Sequence, residues 1–283
     1  MVREAQREAQ VVKEVLRAGA RRVVALVDEF VYKGHYCIVM ERMRVNLRQL
    51  LAEKGNGVGL NIAAVALYAA QLFDALRHLH TVCQVYHCDI KPDNILADQS
   101  LRTVKLADFG SALHPFEAQP QASLGSRFYR SPEVIVGYRW NGETDVWSLA
   151  ATLAELSTGA ILFPGTQNND MLWWFMQFKG KFPPKMAREG KTANEHFTPD
   201  LMFVHEEQDK SGKAVFRKLN IKQPARRFVS VLIPPKAKLP QATLNRLYNF
   251  NDLLEKAFVL DPDKRITASA ALSHPFCAAV KLE

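Results

Sequence analysis

The sequence predicts an α+β fold in two unequal parts, a small strand-bearing N-terminal piece and a large, mainly helical remainder. Three observations carry that reading. Two short runs rich in β-branched and aromatic residues, at 22–32 and 36–42, lie on either side of Lys33 and Gly34, a turn signal. A strongly apolar run from Asn61 to His80 has the length and composition of a buried helix. Most of the chain beyond Asp145 again reads as helix, with no repeat and no low-complexity tract.

In order along the chain, residues 3–17 are expected to form an amphipathic helix, with Val11, Val12, Val15 and Leu16 on one side and Gly19 as its stop. The two strand candidates follow, then the apolar helix. Short strand-like pieces come next at 85–88, 94–97 and 103–107, separated by charged turns. Helical segments are expected at 145–158, closed by Gly159, and at 171–178, 251–260 and 268–272. Residues 179–240 are proline-rich and read as irregular. This divides the chain into a small part with its connection over 1–43 and a helical part over 44–283.

Composition excludes several classes. The 283 residues are 48% hydrophobic and 23% charged, ordinary for a globular domain that buries a core. Four cysteines, Cys37, Cys83, Cys88 and Cys277, show no C-x-x-C pair, which fits a reducing compartment without disulfides or a thiolate metal site. The opening MVREAQREAQ is neither a secretory signal nor a transit peptide. The longest aromatic-rich run, Met171 to Phe178, is far shorter than the ~20 residues that span a bilayer. An intracellular protein off the membrane is expected.

The net charge of +8 sits in one place. Residues 179–240 hold fourteen Lys/Arg against six Asp/Glu, so the rest of the chain balances to zero. A solvated surface, a dock for an acidic protein and a nucleic-acid patch all fit that excess. Few aromatic residues mark it as a base-stacking platform, which argues against direct nucleic-acid binding.

The chemistry is concentrated in two loops. Residues 87–94 read His-Cys-Asp-Ile-Lys-Pro-Asp-Asn, and Asp108-Phe109-Gly110 follows fourteen residues after Asn94. Phosphoryl transfer needs positioning and charge neutralisation more than covalent help. Asp89 suits the proton of a hydroxyl nucleophile, and Lys91 suits the charge of the phosphate in transfer. Asn94 and Asp108 offer an amide and a carboxylate oxygen to Mg²⁺, a hard cation. Alone, D-F-G is a common tripeptide. The ordered set is specific: H-x-D-x-K-P-x-N, D-F-G, Ser131-Pro132-Glu133, Asp145-Val146-Trp147 and Arg265.

With these residues the whole chain resembles the protein kinases, in the group that joins cyclin-dependent, MAP, glycogen-synthase and CDC-like kinases. Within it the chain looks most like the pre-mRNA-processing (splicing) kinases, relatives of the dual-specificity tyrosine-regulated kinases. HCDIKPDNIL, KLADFGSA, GSRFYRSPEVIVG, TGAILFPGTQNNDML, FKGKFPPKM with EHF after it, and NLRQLL carry that likeness. The resemblance implies a bilobal kinase fold and transfer of the ATP γ-phosphate to serine or threonine hydroxyls, with Mg²⁺. It further implies splicing-factor substrates and a nuclear location. It puts Met40 at the gatekeeper, Glu41 to Met43 at the hinge for adenine, and Asn46 and Leu96 beside the nucleotide. Glu8 falls at the helix-C glutamate. His87 belongs to the catalytic loop that Asp145 braces, Glu133 and Arg265 form a buried ion pair, and Arg130 favours proline after the acceptor.

Departures from the pattern matter as well. Cys88 stands where most kinases have an arginine that gathers a phosphorylated activation segment, and Ser123 stands where an autophosphorylated tyrosine is expected. The sequence opens in helix C, so the Gly-rich loop and the strand lysine of the family lie outside it. It reads either as a piece of an active kinase, favoured by the intact Asp89 and Asp108, or as a non-catalytic kinase-like scaffold. On that reading Val23, Val24, Ile38 and Val39 are expected to lose cover along a bare strand edge.

Overall fold

The computed structural model describes residues 2–120, 123–208, 212–233 and 238–282. The first helix, α1 (Val2–Arg17), buries Ala9, Val11, Val12 and Val15 and leaves its charged side to solvent. Strands β1 (Leu26–Tyr32) and β2 (His35–Met40) pair antiparallel, with Glu29 opposite Ile38. Lys33 and Gly34 both take positive φ, 47° and 79°, the backbone that a two-residue hairpin needs.

Two short elements, β3 (Val45–Asn46) and α2 (Leu47–Lys54), lead into the larger part. Asn46 caps α2, accepting the Gln49 amide at 2.8 Å, while the Gln49 side chain accepts the Asn46 amide at 3.1 Å. The apolar run becomes α3 (Ile62–His78), capped by Asn61. It then relaxes into one π-helical turn, Leu79–Cys83, closed by Gln84 in the left-handed conformation. Strands β4 (Ile95–Ala97) and β5 (Val104–Leu106) complete a three-stranded sheet in the order β3-β4-β5.

Helix α4 (Pro132–Ile135) is short, and α5 (Glu143–Thr158) is the centre of the molecule. Every residue of α5 from Thr144 to Leu156 is buried, as befits a helix with neighbours on all sides. The Trp147 ring packs on Phe163, Phe175 and Phe258 at 4.7–5.8 Å between centroids. Helices α6 (Asn168–Lys179), α8 (Phe228–Leu232) and α9 (Gln241–Ala257) pack against α5, α7 (Pro184–Glu189) follows α6 in the chain, and α10 (Ala268–Leu272) and α11 (Pro275–Ala278) pack on α3. No helix among the described residues is long and apolar enough to cross a membrane. All four cysteines are free thiols.

Three expectations need correction. Residues 179–240 are not irregular throughout: besides α7 and α8 they contain the paired strands β6 (Phe203–Gln208) and β7 (Ala214–Leu219). Two basic groups of this stretch are taken up in packing, Arg226 over Trp174 at 4.6 Å and Lys179 over Phe228 at 5.7 Å. Val23 and Val24 are not bare. They precede β1, are 2% and 1% exposed, and are stitched to β5 by Val24 N–H to Leu106 C=O and Leu106 N–H to Arg22 C=O. The piece at 85–88 is not a strand; it makes one isolated bridge, Tyr86 to Leu113.

Candidate active site

The loop after α3 is held from beneath by α5. Asp145, 1% exposed, accepts the His87 and Cys88 amides at 2.8 Å each and the His80 ring nitrogen at 2.9 Å. Cys88 sits at φ 67°, a left-handed position uncommon for a side chain with a Cβ, and Asp145 fixes it there. The His87 ring rests on Phe109, 4.9 Å between centroids, and its Nε2 lies 3.0 Å from the Ala107 carbonyl. His87 and Phe109 are both buried, so the two functional loops share one packed base.

On that base stands Asp89. One carboxylate oxygen accepts Lys91 Nζ at 2.7 Å and Asn94 Nδ2 at 3.1 Å; the other accepts the Ser126 amide at 2.9 Å. Lys91 also donates to Ser126 Oγ at 3.0 Å. Burial pushes the Asp89 carboxyl up, but the bonds from Lys91 and Ser126 outweigh it and hold the group below the usual aspartate range. It is an ionised acceptor at neutral pH.

Asp108 takes φ 63°, a second left-handed residue without glycine, and its Oδ1 accepts the Gly110 amide at 3.3 Å. Asn94 turns its amide nitrogen toward Asp89, donating to the Asp89 carbonyl as well, which leaves the amide oxygen to face away from it. Two oxygens from two loops suit a hard cation. Among the described residues no group of three or more His, Cys, Asp or Glu can hold a metal alone. An ion on Asn94 and Asp108 would therefore be completed by water and phosphate oxygens, as Mg²⁺ commonly is. Glu8 of α1 faces this corner: burial and the charge of Asp108 push its carboxyl up, against a bond from the Phe109 amide.

Between the two parts, the Glu41 amide donates to the Ala25 carbonyl at 2.8 Å, and its side chain takes Lys105 Nζ and the Ala25 amide at 2.6 Å each. Met43 makes no backbone hydrogen bond through its own amide or carbonyl among the described residues. Met40 and Leu96 lie half-buried on β2 and β4. Asn46 is different. Its side-chain oxygen is committed to capping α2, which leaves only its amide N–H₂ for a ligand.

The segment from 123 to 133 is organised by two arginines. Arg130 donates to the carbonyls of Leu124 at 2.9 Å, Gly125 at 2.7 Å and Ser123 at 3.3 Å, and to Asn168 Oδ1 at 2.9 Å. Gly125 has φ 68°, and a Cβ there would lie 2.5 Å from the Cys88 carbonyl, so only glycine lets the segment approach the loop. Ser123 is exposed. Arg265 forks onto Glu133 at 2.6 and 2.7 Å with neither side chain accessible. Thr144 adds a bond to Glu133, and Arg265 also reaches the Val259 and Glu143 carbonyls.

A model of the protein kinase domain matches residues 1–277. The chain belongs to the protein kinase family. The kinase chain is 41% identical over 255 residues to the serine/threonine-protein kinase prpf4B of Dictyostelium discoideum, covering 89% of this chain and 31% of that protein. It is 40% identical over 261 residues to the serine/threonine-protein kinase prp4 of Schizosaccharomyces pombe, covering 92% and 54%. Identity to the human dual specificity tyrosine-phosphorylation-regulated kinase 3 is 31% over 267 residues, covering 92% and 44%. The relatives bear out the resemblance to pre-mRNA-processing kinases, with the dual-specificity kinases further off. The chain spans between about a third and about half of the length of these relatives.

Two groups in the site escaped sequence reading. Ser126 takes part through its backbone amide as well as its hydroxyl, and no residue type announces the amide. Lys105 is a lone lysine on a three-residue strand, and only its alternation with buried Val104 and Leu106 hints that it points toward the hinge.

Proposed function

We propose that this kinase domain transfers the γ-phosphate of ATP to serine or threonine hydroxyls of proteins, with splicing factors as its substrates and the nucleus as its place of action. The observation that carries the reading is the Asp89 carboxylate, kept ionised by Lys91 and aimed beside the Ser126 amide of the segment that would hold a substrate. The acceptor oxygen forms a bond to the γ-phosphorus, the bond to the β,γ-bridging oxygen breaks, and the hydroxyl proton passes to Asp89. Lys91 lies where it can neutralise the moving phosphoryl group. The family implies a divalent metal, which supplies charge neutralisation on the phosphates; Asn94 and Asp108 are the residues that would hold it. The Met43 amide and carbonyl would take the adenine edge.

Acceptor choice follows from Arg130. The Leu124 and Gly125 carbonyls are already bonded, so the residue after the acceptor finds no partner there for an N–H. Proline has none to satisfy. Splicing substrates and the nuclear location rest on likeness to the prp4-type relatives.

The test measures turnover and ATP affinity in wild type and Asp89→Asn, with Ser-Pro and Ser-Ala peptides. Asp89→Asn should lose at least about 10²-fold in turnover with ATP affinity unchanged, and wild type should prefer Ser-Pro. Equal turnover in both proteins removes Asp89 as the base. No turnover by wild type on any peptide favours the scaffold reading.

A further inference from the structure

Four side chains outside the phosphate-transfer set meet beside the catalytic loop. Arg48, on α2, donates through Nη1 to Glu155 Oε1 and through Nη2 to the Tyr129 hydroxyl at 2.6 Å and to Asp93 Oδ2 at 3.1 Å. The Tyr129 hydroxyl in turn donates to Glu155 Oε2 at 2.6 Å. Glu155 has 3% of its side chain accessible, while Arg48 and Asp93 keep 36% and 42%. The cluster thus has a core end and a solvent end. Burial opposes the Arg48 charge, but its bonds to Asp93 and Tyr129 and the charge of Glu155 outweigh burial and hold the guanidinium firmly protonated.

The place of this cluster gives it meaning. Asp93 is four residues from Asp89, so the chain between them spans at most about 14 Å. An extended acceptor peptide advances roughly 3.3 Å per residue, so side chains within about four residues of the reacting hydroxyl pass within reach. Two carboxylates at such a distance are a natural receptor for a substrate arginine or lysine. Here a guanidinium of the chain itself lies between them. We propose that Arg48 is the resident occupant of an acidic pocket formed by Asp93 and Glu155, and that it sets specificity by denying the pocket to basic residues flanking the acceptor.

An intramolecular guanidinium competes at a high effective concentration. A substrate arginine would have to displace a group already bonded to Glu155, Tyr129 and Asp93, with nothing gained in charge pairing. The filled pocket therefore works against basic acceptor sequences without touching neutral or proline-containing ones. The inference rests on the proposed kinase activity, because it needs a peptide to lie along the catalytic loop.

The test uses the full chain with one Ser-Pro peptide and variants carrying a single arginine at each of the four positions on either side. Binding is read by fluorescence anisotropy of labelled peptides, and kcat and KM by phosphate transfer. Wild type should gain nothing from arginine at any position. Arg48→Gln should bind one arginine-bearing peptide about tenfold or more tightly, through KM with kcat unchanged. Arg48→Gln combined with Glu155→Gln should lose that gain, whereas a purely structural tether would change the melting temperature and leave positional preference alone. A wild-type preference for arginine, or an Arg48→Gln profile matching wild type, overturns the inference. Absence of turnover on every peptide counts against the kinase reading, and anisotropy then decides the role of Arg48 alone. If Arg48→Gln does not fold, Arg48→Lys keeps the charge without the fork and should show a smaller gain at the same position; an unchanged profile overturns the inference.

Discussion

Asp145 is removed from solvent, and burial by itself would push its carboxyl up. The His80 bond and charge, the charge of His87 and the His87 amide outweigh burial, so the group lies below the ordinary aspartate value. A carboxyl whose folded pKa is depressed gives stability that is complete above its unfolded pKa, near 3.8, and is lost as pH falls through the folded value. Asp145→Asn should therefore cost about 1–3 kcal/mol at neutral pH, from amides left unsatisfied and the lost pairing. The gap to wild type should narrow only below about pH 4. Urea unfolding across a pH series measures this, and a gap that stays constant into strong acid would remove ionisation from the account. Cys88, held by the same aspartate, behaves oppositely: burial pushes its thiol well up, so it stays neutral. It offers a phosphorylated segment nothing of what an arginine would, and Arg130 instead gathers the segment through backbone carbonyls.

Among the described residues, the β1–β2 hairpin exposes more large apolar side chains than any other element. Val27, Phe30, Val31 and Tyr32 of β1 are 46–65% exposed, and Val39 of β2 is 37% exposed. Exposed strand surface of this kind favours pairing between molecules. Val31 lies opposite Tyr36 in the ladder, and Val27 lies at the register shift between Leu26 and Asp28. Replacing both with threonine should reduce concentration-dependent association, measured by sedimentation velocity, with little change in melting temperature. Unaltered sedimentation would place the association elsewhere. Elements also differ in how plainly the sequence announces them. The apolar runs of α3 and α5 and the hairpin turn at Lys33 and Gly34 are local patterns and were readable. The β6–β7 hairpin was not, because FVHEEQ and AVFRKL mix charge into both faces. Helix α2 hid its purpose as well, for an arginine on a short helix reads as a solvated charge until Glu155, 107 residues away, arrives beneath it. The catalytic loop was legible since its chemistry is contiguous from His87 to Asn94. The cap formed by Asn46 was not legible beside its expected nucleotide contact, because both ask for the same residue type.

Across the whole molecule, α5 is the frame to which the functional loops are tied: Asp145 holds the catalytic loop, Glu155 holds α2, and Thr144 helps hold Glu133. Arg265 closes that frame from the far end of the chain, on Glu133, with its guanidinium 5.0 Å over the Trp147 ring. Arg265→Leu leaves a buried carboxylate without its partner and should destabilise by roughly 3–5 kcal/mol, lowering the melting temperature by several degrees. An unchanged melting curve would mean the pair contributes no net stability. The clamp joins residues 132 apart in sequence. Contacts across so long a loop form late, after most of the closure entropy has been met by nearer ones. Its loss should then leave the refolding rate almost untouched and speed unfolding by roughly 10²- to 5 × 10³-fold. Arg265 in that case governs lifetime more than folding speed. The half-life of the folded chain, read as the time it survives under pulse proteolysis, is the quantity that this one side chain would set.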